Sequence, residues 1–199
     1  MLSTILSAFT VADIRKKLAF TAMLLALYRL GTFIPVPGVS TEALKQLEDQ
    51  YAGSNILGFL NLFSGGGLSR IAVFALGIMP YITSSIIVQL LIVVIPRLEQ
   101  LKQEGQAGQQ KLTQYTRYLT VALAILQSTG IVALGRGTPS QLFPQCNQAI
   151  IPNTSLFRIA TLVITMTAGT AVIMWFGELI TDRGIGNGMS ILILSLIHI

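Results

Sequence analysis

Asn55-Ile56-Leu57-Gly58-Phe59-Leu60-Asn61-Leu62-Phe63-Ser64-Gly65-Gly66-Gly67 is a short apolar run that breaks on glycine. After Arg70 the apolar character resumes and continues from Ile71 to Ile95. A helix that crosses a bilayer needs about 20 apolar residues, so the first run is too short and the second is long enough. A short apolar piece joined by glycines to a full span suggests a broken or re-entrant element. Irregular backbone at membrane depth is tolerated only where protein buries it or where it lines a water-filled cavity. The pair therefore predicts a pore or binding cavity with Ile56–Phe63 folded into it.

The rest of the chain agrees with a membrane setting. Charged residues make up 11% and hydrophobic ones 52%, with a mean hydropathy of +0.70. A soluble domain carries about 25% charged residues. The 199 residues leave room for roughly five spans of about 20 residues plus loops. The net charge of +5 is read locally, because Lys and Arg placement sets orientation. Nucleic-acid binding is disfavoured, since no basic run with interleaved aromatics sits on a soluble element. Cys146 and His198 are the sole residues of their kinds. That excludes an intrachain disulfide and a cysteine metal cluster within the chain; His198 sits next to the end, and a histidine-ligated metal site would need more. Met1–Thr10 lacks a basic n-region and does not read as a cleaved signal peptide. Leu2, Ile5, Leu6 and Phe9 recur at helical spacing, which fits an interfacial helix or a frayed start.

Arg15-Lys16-Lys17 precedes the first apolar run, Leu18 to Ile34, and places the N-terminus in the cytoplasm. Arg29 near the far end of that run either snorkels to the interface or pairs with another helix. Pro35-Val36-Pro37-Gly38 stops the helix, and Ser40–Tyr51 reads as a short outer surface helix. In the second span, 71–95, Pro80 is expected to kink the helix. Ile78, Ile82 and Ile86 are spaced by four and share one face, toward lipid or a neighbouring helix. Thr83, Ser84 and Ser85 can bond back to their own helix, whereas Gln89 suggests a helix–helix or cavity contact. Arg97–Arg117 reads as a cytoplasmic polar loop, either simply solvated or a docking surface. Spans follow at 118–134 and 157–176, and a fifth begins near Met189. Arg15, Lys16, Lys17, Arg97, Lys102, Lys111, Arg117 and Arg183 then lie inside, against Lys45, Arg70, Arg136 and Arg158 outside. The fold class expected is an all-α polytopic membrane protein with four complete transmembrane helices, the start of a fifth and a re-entrant helix.

Catalytic readings fail on their partners. Gly184-Ile185-Gly186-Asn187-Gly188 has neither the preceding strand nor the βαβ unit of a dinucleotide site. It is better read as a tight loop that starts a helix, with Asn187 as cap. Ser64 has no base for nucleophilic chemistry. Glu178 and Asp182 could hold a metal, but two carboxylates at a membrane surface are more often solvated. A membrane enzyme therefore lacks a catalytic constellation, and no cofactor or metal site is expected. A secondary transporter with a broken helix at its binding site is the alternative function, though intramembrane carboxylates for ion coupling are missing.

Five stretches resemble the SecY family, the large subunit of the bacterial protein-conducting channel. They are Phe33–Gly38, Asn61–Gly66, Phe74–Ile82, Lys111–Tyr118 and Gly177–Gly188. The resemblance implies the N-terminal half of a ten-span channel, cut inside its fifth span, so the chain is expected to be a fragment. It implies a plug formed by Ile56, Leu60, Leu62, Phe63, Ser64, Gly65, Gly66 and Gly67. It further implies that Ile78, Ile82 and Ile193 belong to an apolar pore ring, and that Thr83, Ile86 and Gln127 belong to a lateral gate. The implied function is gated secretion of unfolded proteins across the bacterial cytoplasmic membrane and lateral insertion into it. The implied partners are SecE, SecG, the SecA ATPase, the ribosome, signal sequences, unfolded secretory or membrane proteins, and the lipid bilayer.

Overall fold

A computed structural model of the chain describes residues 12–36, 64, 66–67, 71–136 and 155–198. Within them every regular element is helical: α1 (Ala12–Phe33), α2 (Met79–Val94), α3 (Pro96–Gln103), α4 (Gln106–Arg136), α5 (Leu156–Arg183) and α6 (Gly188–His198). The expected surface helix at 40–51 and the run Ile56–Phe63 lie outside the described residues.

Helix α1 buries Thr21, Leu24, Tyr28, Gly31 and Thr32. That spacing makes one helical stripe. The opposite side exposes Met23, Leu27, Leu30 and Phe33. At its end the chain extends, and Pro35 forms an antiparallel bridge with Ala72. Val36 N–H donates to the Ile71 carbonyl and Val73 N–H to the Ile34 carbonyl, each at 3.0 Å.

The apolar stretch 71–95 is helical only from Met79. Residues 71–78 form turns, with Gly77 in the left-handed region at φ 55°. Pro80 then falls in the first helical turn, where its missing N–H would have had no intrahelical partner anyway. The proline therefore opens α2 instead of kinking a longer helix. At the other end Ile95 is extended (φ −104°, ψ 110°), as a residue before proline prefers. There the chain bends by 101° into α3.

The expected loop Arg97–Arg117 is largely helix. It is α3, a turn at Glu104–Gly105 with Gly105 at φ 73°, and the first three turns of α4. Its Gln, Lys and Leu residues are good helix formers despite their polarity. Helices α4 and α5 hold 31 and 28 residues. At about 1.5 Å per residue both overreach a hydrocarbon layer of about 30 Å. By length and composition two described helices, α4 and α5, can cross a membrane, or three if the bent α2–α3 pair is one broken span. Helix α1, which carries Arg15, Lys16, Lys17 and Arg29, falls outside that count.

Helix α4 packs on both α2 and α5. Ser84 Oγ, fully buried, donates to the Thr116 carbonyl at 2.7 Å and ties α2 to α4. Two apolar clusters fill the bundle. One gathers Val36, Ala75, Leu76, Ala124, Val132, Leu162 and Met166. The other gathers Leu24, Tyr28, Phe74, Ile78, Ile173, Ile180, Leu192 and their neighbours.

Candidate functional site

Ile78 stands at the N-cap of α2 with φ −90° and ψ −10°. Ile82 follows one turn later, so both side chains descend the same face. Ile78 is 2% exposed and lies inside the second cluster. Ile82 from α2 and Ile193 from α6 are half-buried and pack against that same cluster. Three isoleucines from two helices distant in sequence therefore meet one apolar body. None of them can hydrogen-bond water through its side chain.

Of the eight residues in the expected plug, Ser64, Gly66 and Gly67 are described. Ile56, Leu60, Leu62, Phe63 and Gly65 lie outside the described residues. Ser64 is buried at 3% exposure. Its carbonyl accepts from Gly67 N–H at 3.2 Å, and the Gly67 carbonyl accepts from Ala72 N–H at 2.9 Å. Gly66 has φ 82°, a conformation that glycine adopts freely. The glycine break is thus hydrogen-bonded onto the turn segment that leads to Ile78.

The three gate candidates lie on α2 and α4. Thr83 donates to the Met79 carbonyl at 2.9 Å within its own helix. Ile86 on α2 is exposed, with Leu90, Val93 and Val94 continuing the open side of that helix. Gln127 is half-buried on α4. Gln89 donates weakly to Ser85 Oγ at 3.5 Å and lines a cavity of about 430 Å³ with Tyr81, Thr113 and Thr116. Arg29 lies over the Phe33 ring at 5.2 Å.

One polar feature escaped the sequence reading. Arg117 on α4 grips Glu178 on α5 with two bonds, Nε to Oε1 and Nη2 to Oε2, both 2.7 Å. Glu178 is therefore not a solvated carboxylate; its side chain is only 18% exposed. The partners lie 61 residues apart, and nothing local in the sequence announces the pairing. The pair borders a polar cavity of about 760 Å³ at the same end of the bundle, lined also by Gln110, Gln114, Asp182 and Asn187. In the full-length protein, Arg117→Ala should lower stability by about 1 kcal/mol, since the arginine is half exposed but the fork is bidentate. The thermal midpoint should fall at low salt, and the gap should narrow as salt screens the wild-type pair. An unchanged midpoint at low salt would count against the interaction.

A helical bundle with apolar spans, a broken backbone segment and a buried apolar cluster at that break defines a polytopic membrane protein. Residues 72–198 match a family model described as SecY. "Protein translocase subunit SecY" of Streptomyces scabiei is 61% identical over 96% of this chain and 44% of its own length. The Mycobacterium tuberculosis protein of the same name is 53% identical over 97% of this chain and again 44% of its length. The chain belongs to the SecY family, and it spans less than half the length of these relatives. Among solved structures, Sec61 in the canine ribosome–channel complex from the endoplasmic reticulum matches with TM-score 0.59 and 18% identity. That match covers 93% of this chain and 36% of the other. A structure of a protein-conducting channel matches with the same values. At this identity the likeness speaks for the fold.

Proposed function

We propose that the chain forms the N-terminal half of a gated channel that passes unfolded proteins across the bacterial cytoplasmic membrane and releases apolar segments sideways into lipid. The observation that carries this reading is the meeting of Ile78, Ile82 and Ile193 on one cluster beside the turn-built segment 71–78. Narrow apolar constrictions exclude water and gate by dewetting. Flexible aliphatic side chains can part for a client and close behind it. Residues 56–67 act as a plug against this ring, and the glycines at 65–67 are its hinge. Thr83, Ile86 and Gln127 line the gate through which a signal sequence leaves. Such a sequence is itself an apolar helix, so it competes for the gate surfaces and shifts a closed–open equilibrium.

In this reading α1, α2, α4 and α5 are four complete spans, α6 begins a fifth, and the N-terminus is cytoplasmic. Ile78 is already covered by this chain's own cluster, so the half-buried Ile82 and Ile193 are the members left to meet residues outside the chain. SecE and SecG complete the channel, and the SecA ATPase or the ribosome drives the client through it. The test is disulfide crosslinking in the full-length protein. Phe63→Cys should crosslink to a cysteine at a ring position when the channel is closed, and lose that crosslink once a client occupies the pore. Failure across a panel of ring positions would remove the plug from the pore. Co-purification of a small solute in place of partner subunits would favour a transporter.

A further inference from the structure

Residues 71–78 have no helix to hold them, yet they are held from three sides. On one side Ile34–Val36 bonds them as a strand would. On the second, the Phe74 ring stacks on Tyr28 of α1, with centroids 5.6 Å apart and planes 6° from parallel. On the third, two glycines leave room that no other residue would. A Cβ on Gly31 of α1 would run into the Phe74 ring, coming 2.8 Å from Cζ and closer still to Cε2 and Cδ2. A Cβ on Gly169 of α5 would run into the Val73 carbonyl, a backbone atom, and stand 3.1 Å from Phe74 Cδ1. Gly130 of α4 offers a contrast, because a Cβ there meets nothing within 4 Å.

We propose that Gly31 and Gly169 are positioning residues for the apolar seal: their socket holds the Val73–Phe74 turn, and the turn sets where Ile78 stands. This rests on the reading of Ile78 as part of the pore ring. From Phe74 the register passes forward in short steps. Gly77 N–H donates to the Phe74 carbonyl at 2.9 Å, and the Ile78 carbonyl accepts from Tyr81 and Ile82 N–H at 3.0 and 3.1 Å. Any shift of the ring in its socket is therefore delivered to Ile78 within four residues. Ile71 points the same way. It holds φ +43°, where a β-branched side chain is strained. Such strain persists only where the surroundings over-determine the backbone. Among the other close glycine contacts, those of Gly108, Gly177 and Gly188 pack one helix on another. The socket instead fixes an irregular segment, the part of the seal least able to fix itself.

The test uses the full-length protein with its partner subunits in a planar bilayer, read as resting ion conductance before any client is added. Gly31→Ala and Gly169→Ala should accumulate in the membrane and leak severalfold more than wild type. Gly130→Ala should not leak. Phe74→Leu should leak modestly, and Gly31→Ala combined with Phe74→Leu should leak no more than Phe74→Leu alone. Gly169→Ala should not be relieved in this way, because its added methyl meets the backbone. Ile78→Gly, run alongside, reads the ring itself. Wild-type conductance in both glycine variants while Ile78→Gly leaks would overturn the socket and leave the ring standing. Wild-type conductance in all variants, Ile78→Gly included, would overturn the ring and the socket with it. Equal leakage from Gly130→Ala would also overturn the socket. If the glycine variants fail to accumulate, Phe74→Leu decides: leakage at normal accumulation supports the socket, and wild-type conductance overturns it.

Discussion

Ile78→Gly, introduced into the full-length channel, should raise resting ion conductance more than any other single change at the ring. Ile78 is 2% exposed at the N-cap of α2, so the whole side chain is packed, and the proposed ring takes this packed arrangement as its closed state. Removing a buried aliphatic side chain of this size costs about 3 kcal/mol. An open state that does not bury the side chain would not share that loss. The closed–open ratio would then fall by more than tenfold, since each 1.4 kcal/mol or so is a factor of ten. In the proposed ring, the vacated space also widens a constriction that works by excluding water. Ile82→Gly should leak less, because Ile82 is only half-buried. Ile78→Leu, which conserves volume, should leak little. Unchanged single-channel conductance in Ile78→Gly would sink the ring assignment.

Gly188→Ala should be a strongly damaging conservative change for folding. Gly188 opens α6, and its amide donates to Thr181 Oγ1 at 2.9 Å across the turn from α5. Met189 N–H is capped by Asn187 Oδ1 at 3.1 Å. These bonds draw α6 so close to α5 that a Cβ on Gly188 would strike the Gly177 carbonyl oxygen and lie 2.8 Å from Ile180 Cβ. The Gly177 carbonyl, held within α5 and accepting from Thr181 Oγ1 at 2.8 Å, cannot swing aside, and Ile180 is fully buried. The hairpin must open, and Leu192 and Ile193 on α6 withdraw from the cluster they pack against. Overpacking of this kind costs about 3 kcal/mol. The same substitution at Gly130 should stabilise by up to about 1 kcal/mol, because there only helix propensity changes. Protease resistance of the two variants, measured side by side, checks this. Equal resistance would mean that the α5–α6 contact is looser than the structure has it.

Hydropathy announced where the chain is buried, and less well what its backbone does there. Residues 71–95 read as one span because turn and helix are equally apolar. Only the left-handed Gly77 and the start-of-helix position of Pro80 divide them, and neither shows in a hydropathy profile. The opposite error arose at 96–117, where polarity suggested a loop although the residues themselves favour helix. The break at Ser64–Gly67 was visible because glycine runs are rare inside apolar stretches. The site was legible to different depths. The spacing of Ile78, Ile82 and Ile86 showed a face but left open what it meets. Placing Ile193 beside it needed the resemblance, since 111 residues of chain separate Ile193 from Ile82. Arg117 and Glu178 were each legible as charges and illegible as a pair.

The hydroxyl groups of these helices bear on how the protein is made. Thr83, Thr120, Thr161, Thr165, Thr170 and Thr181 each donate to the carbonyl four residues earlier in their own helix. None of these hydroxyls waits for a neighbouring helix to satisfy it. Each such segment can therefore enter lipid alone, as soon as it is synthesised, with its side-chain donors already placed. Ser84 is different, because its hydroxyl reaches across to Thr116, a residue the ribosome has yet to make when α2 emerges. Most of these hydroxyls are thus satisfied within a single helix, whereas that of Ser84 gains its partner only once α4 is in place.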